Sequence, residues 1–83
     1  MNKIAVIGGR DSVLGFRALG LETCIAENGE QAKAAIHPMA KENYAIIYLT
    51  EYLAAQSPAE IERRREDLSP AIILIPGREG SLG

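Results

Sequence analysis

Four short apolar runs, separated by polar turns and by stretches of helical spacing, outline this chain. Residues 4–7 (Ile-Ala-Val-Ile) are continuously apolar, the pattern of a strand buried on both faces, and Gly8 and Gly9 follow as a turn. Val13, Leu14, Phe16, Ala18 and Leu19 then recur at helical spacing, with Asp11 or Ser12 placed as N-cap and Gly20 as the stop. Gly15 lies mid-helix, where glycine costs about 1 kcal/mol against alanine, so close packing of this helix on the sheet is expected there. Residues 21–26 alternate weakly and read as a second strand, at a sheet edge, with Cys24 as a small buried hydrophobe.

Asn28 with Gln31 forms a variant of the capping box, and Ala32, Ala35, Ile36, Met39 and Ala40 make one face of an amphipathic helix. Pro38 removes an amide donor and disfavours the helical conformation at His37, so a break or kink is expected near that pair. Residues 44–49 are a third apolar run, too short for a helix, and read as a buried parallel strand. Ser57-Pro58-Ala59-Glu60 combines an N-cap, a proline at the first helical position and a carboxylate that can reach back to the cap. The helix it predicts, to about Leu68, has few apolar residues and belongs at the surface. Pro70 introduces a fourth strand, residues 71–75, and Pro76 ends it.

The order β-α-β-α-β-α-β, with right-handed crossovers, predicts a three-layer α/β fold around a four-stranded parallel sheet, flavodoxin-like or receiver-like, with strand order 2-1-3-4. In that layout the first helix covers one face and the other two cover the opposite face. Strand four (Ala-Ile-Ile-Leu-Ile) is apolar on both faces, so the first helix's face is left uncovered over strands three and four. A chain of this topology would continue from Gly83 into one more helix on that face. Either this final C-terminal helix is missing, or a partner supplies the cover. Residues 1–76 are therefore read as the globular domain, and residues 77–83 as a flexible, glycine-rich tail leading to the absent helix.

Composition narrows the function classes. Eighty-three residues make one small domain, and 47% apolar with 24% charged residues is ordinary for a folded one. Nine basic against eleven acidic residues give a net charge of −2, which offers no electrostatic footprint for nucleic acid or an anionic membrane surface. A lone cysteine fits a reducing cytosol, and with no 18-residue apolar run or signal peptide a cytoplasmic protein without direct membrane insertion is expected.

Candidate chemistry is thin. Gly8, Gly9 and Gly15 sit in a strand-turn-helix setting, but their spacing matches neither phosphate-binding glycine motif, so turn geometry and packing account for them. Asp11 and Glu51 follow strands one and three, where a phospho-acceptor receiver domain keeps its acidic pocket. Two acids without a lysine after strand four fall short of the cluster needed to hold Mg²⁺ and stabilise transferred charge. Arg63, Arg64 and Arg65 lie among Glu60, Glu62, Glu66 and Asp67, the pattern of a salt-bridged helix face rather than a nucleic-acid patch. His37 has no second ligand at helical spacing, and Cys24 has no base in its own segment. No catalytic, cofactor or metal site is assigned. A binding module is the leading reading; a small receiver-like signalling or nucleotide-binding domain is the alternative.

Three collinear segments carry a family resemblance: residues 8–20 (GGRDSVLGFRALG), 44–51 (YAIIYLTE) and 70–83 (PAIILIPGREGSLG). In this order they resemble the F subunit of V-type and A-type rotary ATPases (ATP synthases), over nearly the whole chain. The resemblance implies a non-catalytic rotor component of the central stalk that docks on the coiled-coil D subunit and helps couple ATP turnover to ion transport. The A and B subunits of the catalytic head are further possible partners, and the place implied is the cytoplasmic side of the membrane. It implies no catalytic residues. Ile73 and Ile75, with the tail residues Gly77, Arg78, Glu79, Gly80, Ser81 and Leu82, are the candidate partner-binding positions, the tail acting as a hinge towards the missing helix. Two departures stand out: Gly9 replaces a residue usually acidic in the family, and the family usually continues beyond residue 83 into a C-terminal helix.

Overall fold

The computed structural model describes residues 3–42, 44–56, 59, 62 and 70–77. The chain alternates strictly through β1 (Lys3–Gly8), α1 (Arg10–Arg17), β2 (Glu22–Ile25), α2 (Gly29–Lys41), β3 (Tyr44–Thr50), α3 (Glu51–Gln56) and β4 (Ala71–Ile75). The strands form one parallel sheet in the order β2-β1-β3-β4, as the apolar runs predict, with helices on both faces. Strand β1 lies between two neighbours and buries Ala5, Val6 and Ile7 completely. β2 is an edge strand.

The two faces are sealed unequally. On one, Ala5, Ile7, Ile47, Leu49 and Ile72 meet Ala32 and Ile36 of α2 and Leu53 and Ala54 of α3 in a continuous core, with Cys24 and Met39 packed against it. Each fully buried Ile or Leu there contributes about 1.5–3 kcal/mol. On the other face α1 lies over β1 and β2, where Val6 and Val13 are fully buried.

Local structure differs from the sequence expectations in four places. The N-cap of α1 is Gly9, whose carbonyl accepts from the Ser12 and Val13 amides at 3.0 and 3.1 Å, and no side chain caps the helix. Asp11 instead lies in the first turn, where its charge complements the helix dipole. Gly20, at φ +86°, ends the turn after the helix as expected. Gly15 is exposed, with open space where a Cβ would stand, because Val13 takes the sheet side and two residues on is about 200° round the helix. The close approach occurs at Gly8, where a Cβ would lie 2.6 Å from Thr50 Cγ2.

In α2 the expected capping pair forms, with Asn28 Oδ1 accepting from the Gln31 amide at 2.9 Å. Gln31 Oε1 accepts in turn from the Glu27 amide at 2.8 Å. The helix does not break at Pro38 but runs on to Lys41. One amide is lost in the last turn, while Met39 beyond it still packs on the core and the Glu42 amide closes the end on the Pro38 and Met39 carbonyls. A helix that the sequence pattern does not predict, α3, starts at Glu51, directly after β3. Leu53 and Ala54 anchor it, and Gln56 Oε1 accepts from the Gly29 amide at 2.7 Å, tying its end to the start of α2. Ala59 and Glu62 are also helical. The predicted cap at Ser57, Pro58 and Glu60, the Arg63 to Arg65 run and the end near Leu68 lie outside the described residues.

At the amino-terminal edge of the sheet, the buried Tyr44 hydroxyl donates to Glu22 Oε2 at 2.7 Å, linking β3 to β2 across β1. Lys3 Nζ stands 5.2 Å from the Tyr44 ring centroid and 3.9 Å from Glu42 Oε1. The hydrogen bond to Glu22, with burial and nearby acidic charge, pushes the Tyr44 phenol up to about 12.

This packing makes two substitutions informative about the glycines and one about the tyrosine. Gly8→Ala forces a methyl against the buried Thr50 side chain and destabilises by about 1–3 kcal/mol in urea unfolding, whereas Gly15→Ala is neutral or stabilising by up to about 1 kcal/mol. Because the Tyr44 phenol is harder to ionise in the folded chain, its contribution is complete below the ordinary tyrosine range and is lost as pH rises towards about 12. Stability measured from about pH 9 to 12 falls with a slope that Tyr44→Phe reduces; an unchanged slope contradicts the assignment.

Candidate docking surface

The register of the sheet sorts β3 and β4 residues onto two faces. Tyr48 pairs with Val6 and Ile73, and Ile46 with Ile4 and Ala71, so these rungs lie on the α1 side. Ile47 and Leu49 pair with Ile72 and Leu74 and face α2 and α3. Ile75 pairs with Thr50 on the α1 side.

Along the central α1-side rung, exposure rises with distance from the helix. Val6 is fully buried, Tyr48 is half-buried and Ile73 is 42% exposed. Ile46 and Ile75 on the flanking rungs are also half-buried. On the opposite face Ile7 and Leu49 are both fully buried, and exposure begins only at Leu74, on the edge strand, at 36%. The difference arises because α2 and α3 reach across β1, β3 and β4, whereas α1 rests chiefly on β1 and β2. The uncovered strip is two strands wide, about 10 Å, close to the diameter of one helix. It is built of Ile46, Tyr48, Ile73 and Ile75 and carries no charge, so whatever covers it gains chiefly from apolar burial.

Ile73 and Ile75, selected from sequence, therefore do share one face, and the half-buried Gly77 follows two residues after them. Ile46 and Tyr48 were not selected. Their signal was the unbroken apolar run of residues 44–49, which puts apolar side chains on both faces of β3 and becomes informative once the strand order places β3 beside β4. Arg78, Glu79, Gly80, Ser81 and Leu82 lie outside the described residues.

Chemistry at the carboxyl ends of the strands is sparse. Asp11 and Glu51 are both exposed, and among the described residues no three His, Cys, Asp or Glu side chains gather where they could hold a metal ion. Burial pushes the Cys24 thiol up, the opposite of activation as a nucleophile. Thr50 is fully buried beside Gly8, and its hydroxyl has no hydrogen-bond partner among the described residues.

Residues 4–83 match the ATP synthase (F/14-kDa) subunit family. This chain belongs to that family. It is 49% identical over 82 residues to the V-type ATP synthase F subunit of Fusobacterium nucleatum, covering 99% of this chain and 78% of that protein. It is 34% identical over 82 residues to the A-type ATP synthase F subunit of Methanocaldococcus jannaschii, covering 96% of this chain and 80% of that protein. The fold is similar to that of the solved V-type ATP synthase F subunit from Archaeoglobus fulgidus, with a TM-score of 0.76 at 17% identity, over 89% of this chain and 96% of that one. The family resemblance of the three sequence segments is thus borne out, as is the flavodoxin-like arrangement. Among the described residues no helix is long and apolar enough to cross a membrane.

The Thr50 hydroxyl gives a further test within this family fold. Thr50→Val keeps the side-chain shape and removes a buried group with no partner among the described residues, so stability is unchanged or rises by up to about 1 kcal/mol in urea unfolding. A loss of about 1 kcal/mol or more would mean that the hydroxyl is paired in solution.

Proposed function

We propose that this chain is a non-catalytic rotor component in the central stalk of a V/A-type rotary ATPase. It docks on the coiled-coil D subunit, turns with it and helps couple ATP turnover to ion transport, with the A and B subunits of the catalytic head as possible further contacts. Membership of the ATP synthase (F/14-kDa) family supports the complex. The observation that carries the docking surface is the rise in exposure from Val6 through Tyr48 to Ile73 on the α1 side. A coiled coil presents long helices, and one of them suits a strip two strands wide better than a second sheet would. Gly77, Arg78, Glu79, Gly80, Ser81 and Leu82 are the candidate partner-binding positions that accompany Ile73 and Ile75. The coiled-coil partner reaches the chain on the cytoplasmic side of the membrane, where the chain is peripheral and inserts no segment of its own.

Binding to the coiled-coil stalk partner from the same cell, measured by calorimetry, is expected at micromolar concentration or tighter. Ile73→Glu places a charge on the α1-side strip and weakens binding at least tenfold, about 1.4 kcal/mol, while Leu74→Glu on the opposite face weakens it by much less. Circular dichroism of both variants checks that the fold survives. Absence of binding by the unmodified chain contradicts the stalk reading, and equal effects of the two substitutions contradict the choice of face. Nucleotide- or Mg²⁺-dependent NMR shifts at Gly8, Gly9, Asp11 or Glu51 would instead favour a receiver-like or nucleotide-binding domain.

A further inference from the structure

We draw no further inference here: the strongest candidate, the exposed apolar side chains Leu14 and Leu19 on and just after α1 together with Ile25 on the edge strand β2, carries none because nothing in the structure shows what covers it.

Discussion

A parallel sheet whose central strands are apolar on both sides must be covered on both sides, and every other feature of this chain follows from how that requirement is met. β1 satisfies it completely, burying Ala5 and Ile7 towards α2 and α3 and Val6 towards α1. Right-handed crossovers leave little freedom in placing the helices: α1, leading outward from β1 to β2, falls on one face, and α2 and α3, leading back across β1 and on to β4, fall on the other. Two helices on one face can seal three strands. On the other face α1 is the one helix among the described residues, and the shortfall lands on β3 and β4.

The contact between α1 and the sheet shows how tightly the sealed part is made. Gly8 has no side chain because Thr50, on the neighbouring strand, already occupies the space, and this lets the first turn of α1 settle with Ser12 and Val13 over the strand end. The strand end that an α/β fold commonly uses for ligands is filled here by the protein itself. Gly8 and Gly9 are both buried, and Thr50 is fully so. The apolar side chains that the fold leaves exposed on the sheet's α1 side lie away from that strand end, Ile73 on β4 foremost.

Much of this was legible in the sequence because the strands are continuous apolar runs bounded by glycine, proline and polar residues. Those runs and the crossover rule narrow the layouts to a small number, among which the favoured order 2-1-3-4 is the one observed. What failed were local rules overridden by packing. Pro38 would end an isolated helix, but Met39 beyond it is held against the core. The helix at Glu51 was hidden because only Leu53 and Ala54 anchor it, too few for a periodicity. Gly15 looked like the close contact and Gly8 like a turn residue; which glycine approaches its neighbour depends on strand register, which no local pattern encodes. The docking strip was half visible, since Ile73 and Ile75 belong to one run, but Ile46 and Tyr48 join them only through pairing between strands.

The central claim is that the α1-side face of β3 and β4 is the surface a partner covers. Hydroxyl-radical footprinting of the chain, free and assembled with its coiled-coil stalk partner, tests it most directly because it reads individual side chains without altering them. The account predicts that Tyr48 and Ile73 become protected on assembly while Leu14 and Ile25, on the side of α1 and β2, keep their free-chain reactivity. Unchanged reactivity at Tyr48 and Ile73 in a complex that demonstrably contains both proteins would contradict it.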